Sequence, residues 1–350
     1  MTAFQRRLQY ALVACALLAL AVYATTGRPS ADKRVTAQPS ISPSPLDFSG
    51  PIPHIAIVYD VGGRGTDGFN QLTWEGATRA AAVFDAVVTE VTAGPNETDA
   101  DREARLIELA EADNVPIFIL DPAYAAAVAK VAPKYPNTWF GMLDDGSVDA
   151  KNVIGIQFNV EQSSYLAGAA AALTSKTGKV GFIGAERIPG LQKYEAGFAA
   201  GARAVNPDIK VRVAYLSKPA ESRKVALGMY RAGVDVIFGT VGSSDNGVIQ
   251  AAHERGLWAI GVDEDQYLLS DPSLRGAILT SMLKRADVVT YTVTMEVANG
   301  VPKDGNNVFG IDRDGVGYST SGGFLDPIKA QLDAFAATIA SGEILVPTKP

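Results

Sequence analysis

After residue 53 the chain alternates short runs rich in Val and Ile with amphipathic stretches, the strand and helix rhythm of a parallel sheet. Strands are expected over 55–60, 86–91, 115–121, 138–143, 153–158, 180–184, 211–216, 234–239, 258–262 and 277–280, with a last one at 308–311. Helices fall between them: Phe69, Thr73, Ala77, Ala80, Ala81 and Phe84 share one helical face, and Leu166, Ala169, Ala170 and Leu173 another. One open sheet rarely holds so many strands, so the pattern predicts an α/β chain with two sheets of about five strands each.

The break between the two lobes is expected near Phe158, where Asn159-Val160-Glu161 leads from a strand into a helix of small residues. The chain then returns to the first lobe through Arg275-Gly276-Ala277 and the helix 282–298, and crosses back with the last strand and helix. The expected lobes are therefore 54–158 plus 276–306 and 159–275 plus 307–350, joined by a hinge.

The first 53 residues read differently. Arg6 and Arg7 precede a largely apolar run from Leu8 to Ala24, so residues 1–26 are expected to be an export signal or membrane anchor. Val22-Tyr23-Ala24 suits cleavage before Thr25; Leu12-Val13-Ala14-Cys15 matches a lipobox in which Cys15 is acylated, but only Leu8 to Ala11 separate it from the basic pair, which favours Cys15 as a small apolar residue of the hydrophobic run. Residues 27–53, with Pro39, Pro43, Pro45, Pro51 and Pro53, read as an extended tether. Together these predict a protein held at the outer face of the cytoplasmic membrane, or released if the signal is cleaved.

The 350 residues carry a net charge of −7, and three cations with no acid fall in the first thirty, so the body is more acidic still. Such a body argues against nucleic-acid binding, which needs Lys and Arg to displace counterions. Cys15 is the only Cys, so no disulfide forms within the chain. His54 and His253 have no second His or Cys at metal-ligand spacing, and no metal site is expected.

Three apolar runs end in an acid: His54 to Asp60, Trp139 to Asp144 and Trp258 to Asp263. In an open parallel sheet the carboxyl ends of the strands face the ligand crevice, so these acids are expected in one polar pocket. Carboxylates there suit hydroxyl groups and repel phosphates. Gly63, Gly65 and Gly68 spell GxGxxG after the first strand, but Asp60 and Asp67 flank the place a pyrophosphate needs, which weighs against an NAD-linked enzyme.

The segments Val58-Tyr59-Asp60-Val61-Gly62-Gly63, Asp67-Gly68-Phe69-Asn70-Gln71 and Trp74-Glu75-Gly76 resemble the opening motif of the basic membrane protein family, solute-binding proteins that include purine-nucleoside receptors. The resemblance continues through Val180-Gly181-Phe182-Ile183-Gly184, Gly197-Phe198-Ala199-Ala200-Gly201-Ala202 and Asn206-Pro207-Asp208-Ile209-Lys210-Val211. It ends with Gly261-Val262-Asp263-Glu264-Asp265-Gln266 and Thr280-Ser281-Met282-Leu283-Lys284-Arg285, and spans about Ile55 to Tyr318.

The resemblance implies a type I periplasmic-binding-protein fold, two Rossmann-like lobes with parallel sheets joined by a hinge, and a ligand in the cleft. It places Asp60, Phe69 and Asn70 on the first-lobe wall with Asp144 nearby, and Phe69 as a stacking face for a purine. Asp263 resembles the acid that holds ribose hydroxyls, Lys284 the lysine of the cleft, and Gly242 a point of close backbone approach. Three of these picks have a plain structural alternative. Phe69 as a core residue, Asn70 as a helix cap and Lys284 as a helix-surface partner of Asp287 all fit the sequence. The segment Leu216-Ser217-Lys218-Pro219 is shorter than its family counterpart and lacks an aromatic, which leaves Tyr215 as a candidate for the second stacking face.

The expected function is that of a receptor for an ABC-type uptake system, binding a nucleoside, a purine one by preference. Permease and ATPase subunits are its expected partners, with no cofactor, no catalytic residue and no nucleic acid, and the chain is expected to be a monomer. The alternatives are a membrane-tethered sensor of the same fold, a sugar receptor and the NAD-linked enzyme.

Overall fold

The computed structural model describes residues 54–65, 68–216, 218–241 and 247–350. The export segment and tether, Cys15, Asp67 and Gly242 lie outside the described residues.

Twelve strands form among the described residues: β1 (His54–Tyr59), β2 (Val88–Thr92), β3 (Asn114–Ile119), β4 (Phe140–Leu143), β5 (Val153–Phe158), β6 (Lys179–Gly184), β7 (Lys210–Tyr215), β8 (Val236–Thr240), β9 (Trp258–Gly261), β10 (Ile278–Lys284), β11 (Gly305–Phe309) and β12 (Val316–Tyr318). The helices are α1 (Gly68–Val83), α2 (Asp99–Glu111), α3 (Ala125–Val131), α4 (Val160–Thr174), α5 (Pro189–Val205), α6 (Ser222–Arg231), α7 (Gly247–Arg255), α8 (Gln266–Leu269), α9 (Ala286–Ala298) and α10 (Lys329–Ala340).

The strands make two six-stranded sheets, ordered β11-β5-β4-β3-β1-β2 and β12-β10-β9-β8-β6-β7. The two orders correspond strand for strand, so β4 and β9 hold equivalent places. Every pairing is parallel except β10 with β12.

Helices on both faces of a parallel sheet bury every position of a central strand. In β1, Ile55, Ile57 and Tyr59 join one apolar cluster while Ala56 and Val58 join another. Close helix contacts complete each lobe. A Cβ on Gly76 of α1 would lie 2.3 Å from the Asp287 carbonyl oxygen of α9, so only glycine admits this crossing. Gly168, Gly197 and Gly201 likewise let α4 and α5 touch through their backbones.

Three links join the lobes: β5 to α4, β10 to α9 and β11 to β12. Two boundaries depart from the sequence reading. The return to the first lobe, expected at 276, comes only after Lys284, because β10 runs to Lys284 inside the second sheet between β9 and β12. Its polar positions, which suggest a strand end, are satisfied internally: Thr280 Oγ1 donates to the Ser319 carbonyl at 2.6 Å, and Ser281 Oγ accepts from the Gln266 N–H at 3.0 Å. The crossing expected at 307 follows Phe309, because β11 pairs with β5 along its whole length at the edge of the first sheet. No helix among the described residues is long and apolar enough to cross a membrane.

Candidate functional site between the lobes

The carboxyl ends of both sheets meet at a cleft of about 340 Å³. Asp144, Gln157 and Phe158 line it from the first lobe, and Ile188, Tyr194 and Lys284 from the second. Its size is at the lower end of small-molecule sites.

Asp144 follows β4 and Asp263 follows β9, so the two acids occupy equivalent positions in the two lobes. Both take the left-handed conformation, with φ of 60° and 65°. Aspartate tolerates that region better than most residues, and the conformation turns each side chain out of its strand direction.

Lys284, the last residue of β10, joins them. Its ammonium is ion-paired with the Asp144 carboxylate, and it also draws on the Asp263 charge. The same ammonium lies 4.1 Å from the Phe69 ring centroid and 5.1 Å from that of Phe158. Lys284 side-chain exposure is only 9%, so these contacts are shielded from water and count for more than a surface pair would. Lys284 is therefore a strand residue facing Asp144, and Asp287 pairs instead with Arg285, at 2.9 Å through both guanidinium contacts.

Asp263 is incompletely satisfied. Burial pushes its carboxyl up from the usual range, Lys284 opposes that shift and Asp144 adds to it. The neighbouring Tyr194 hydroxyl favours the charged form and also opposes the shift. Oδ1 of Asp263 is shielded from solvent and has no hydrogen-bond partner among the described residues. Burial also drives the Tyr194 hydroxyl far up, reinforced by Asp263 and Asp144. A carboxylate oxygen held dry without a donor costs stability until a donor arrives.

The first-lobe picks are arranged otherwise. Asp60 is exposed, and its Oδ1 accepts from the Gly62 N–H at 3.1 Å and from Asn70 Nδ2 at 3.2 Å. Asn70 also donates to the Gly63 carbonyl at 2.7 Å, so the pair fixes the turn between β1 and α1. Phe69 meets Phe158 edge-on at 5.8 Å, and Lys284 covers one ring face. Tyr215 donates to Glu195 at 2.6 Å and packs edge-on against Phe182 at 5.9 Å, away from the cleft lining.

Sequence reasoning missed Phe158, Ile188, Tyr194 and Glu264. Phe158 had a signal, since the residue at a lobe crossing belongs to the cleft. Glu264, next to Asp263, accepts a 2.5 Å hydrogen bond from the N–H of Gly68, the first residue of α1, and so ties the second lobe to the first. The positive end of a helix suits a carboxylate.

The model of a family described as "ABC transporter substrate-binding protein PnrA-like" matches residues 54–349. The chain is 32% identical over 317 residues to the "CD4+ T-cell-stimulating antigen" of Listeria monocytogenes serovar 1/2a, covering 85% of this chain and 88% of that protein. It is 28% identical to the "ABC transporter nucleoside-binding protein BmpA" of Lactococcus lactis subsp. cremoris over 312 residues, 84% of this chain and 89% of that one. Among solved structures, an ABC transporter solute-binding protein from Aeropyrum pernix K1 superposes with a TM-score of 0.66 at 25% identity, covering 84% of this chain and 94% of that one. The two-sheet architecture is thus the type I periplasmic-binding fold of solute-binding proteins.

Proposed function

The chain belongs to the PnrA-like family of ABC transporter substrate-binding proteins, and from that premise we propose that it is an extracytoplasmic receptor that binds a nucleoside, a purine one by preference, in the interlobe cleft. The observation that carries this reading is Asp263: a carboxylate just past a strand end, beside Tyr194 and Lys284, with a dry Oδ1 lacking a donor among the described residues. A ribose hydroxyl supplies that donor. The carboxylates of Asp144 and Asp263 disfavour a phosphate, and Phe158, backed edge-on by Phe69, gives the cleft an aromatic side that suits a flat base. The name of the Lactococcus relative supports the same ligand class.

In this reading the protein performs no chemistry. Ligand that binds the closed lobes better than the open ones shifts the population toward closure, and the closed form is presented to a permease whose ATPase is a separate subunit. The N-terminal segment keeps the receptor at the outer membrane face. Calorimetry against adenosine, guanosine, inosine, uridine and ribose tests the proposal. Tighter binding of a purine nucleoside than of ribose is expected, and ribose binding without any nucleoside binding would overturn it.

A further inference from the structure

We infer that the second-lobe wall of the cleft holds the ligand's ring system with an aliphatic ledge, Ile188 supported by Leu191, and that this ledge sets the preference for a nucleoside over a free sugar. The inference rests on the nucleoside reading and adds to it the residue that recognises the base from the second lobe.

Ile188 is a large apolar side chain left 47% exposed, and it lines the cleft. Its backbone is extended, with φ of −110° and ψ of 156°, at the N-cap position of α5, where it makes no side-chain capping hydrogen bond. A residue at this position ordinarily caps the helix with a polar side chain. An isoleucine forgoes that contribution and presents its β-branched face to the cavity. Pro189 follows as the first helical residue and fixes the entry of the helix. A Cβ on Gly190 would meet nothing within 4 Å, so the ledge has open space beside it, and Leu191, in the first turn of the helix, lines the cavity too.

The aromatic that could have filled this role is committed elsewhere. Besides its bond to Glu195 and its contact with Phe182, the Tyr215 ring lies under the Arg187 guanidinium at 5.5 Å. Its ring also presses on the backbone at Gly184, where a Cβ would lie 2.7 Å from it. Arg187 therefore closes Tyr215 in, and the next residue, Ile188, is what the second lobe presents. Phe158 lines the first-lobe side of the same cavity. A flat ring entering between them meets an aromatic on one side and an aliphatic surface on the other, and both are removed from water. A free pentose has no such ring and gains little from the ledge.

Calorimetry with adenosine, inosine and ribose on the wild type, Ile188→Ala and Ile188→Phe tests this, with thermal melting confirming that each variant folds. Ile188→Ala is expected to weaken both nucleosides by about five- to tenfold, from the apolar area lost, while ribose stays within about twofold. Ile188→Phe, which restores a large apolar face, is expected to hold nucleoside affinity within about twofold of the wild type. A wild type that binds nucleosides while Ile188→Ala leaves them unchanged, or weakens ribose equally, overturns the ledge alone. A wild type that binds no nucleoside overturns the reading beneath it.

Discussion

Asp60 and Asp263 stand at the same kind of place, the cleft end of a central parallel strand, one in each lobe, yet their surroundings are opposite. Asp60 is exposed and spends its Oδ1 on Gly62 and Asn70, within its own turn. Asp263 has no such local donor: the Glu264 N–H, which follows it, donates to the Val262 carbonyl at 2.8 Å, and Oδ1 is left dry, with no partner among the described residues. A carboxylate at a strand end is thus available to a ligand only where the backbone beyond it has turned its own donors elsewhere. Asp263 sits at this turn with a left-handed φ of 65°.

The largest expected effect separates the pair directly. Asp263→Ala should lower nucleoside affinity by about tenfold or more, since hydrogen bonds to charged groups contribute roughly 1.5 to 3 kcal/mol, whereas Asp60→Ala should change it by less than about threefold. Equal losses in calorimetry would erase the distinction.

Lys284 sharpens the contrast, because it serves the Asp263 side of the cleft. Lys284→Ala leaves Asp144 and Asp263 facing each other without a cation, and should cost about 1 to 2 kcal/mol in denaturant unfolding, discounted because Asp144 is 46% exposed. No loss would mean that the carboxylates are better solvated than their enclosure implies.

The third effect is on pH dependence. Burial raises the Asp263 carboxyl, so its contribution to stability is complete below the ordinary carboxylate range and is lost as pH rises through the raised folded value. Asp263→Asn should therefore melt above the wild type at neutral pH, with the gap closing as the solution is acidified. A constant gap would place the effect in packing and not in charge.

The smallest effect belongs to Asp60. Asp60→Ala should cost about 0.5 to 1.5 kcal/mol of stability through its turn, measured by thermal unfolding at unchanged ligand affinity. A neutral variant would show that Asn70, through its bond to the Gly63 carbonyl, holds the turn alone.

Much of this contrast was beyond sequence reasoning, for identifiable reasons. The strand and helix rhythm, the two lobes and the acids at the strand ends were legible, because each rests on local periodicity. The course of β10 was not: Thr280 and Ser281 look like a strand end unless their partners Ser319 and Gln266 are known to sit beside them. The expected helix 282–298 likewise takes in Lys284, which the structure instead places at the end of β10, with Asp144, 140 residues away, as its partner. The sequence points to Phe69 as a stacking face, and the structure lays the Lys284 ammonium over one face of its ring. Tyr194 and Ile188 carried no signal, since a tyrosine in the second turn of α5 and an uncapped isoleucine before it acquire meaning only from the distant residues, Asp263 and Phe158, that share the cleft region with them.

On this reading the unpartnered oxygen of Asp263 accepts a ligand hydroxyl. Calorimetry with adenosine and 2′,3′-dideoxyadenosine, on the wild type and Asp263→Ala, tests it as a cycle. The wild type should lose about tenfold or more on removal of the hydroxyls and the variant less than about twofold. An equal loss in both proteins would contradict the claim.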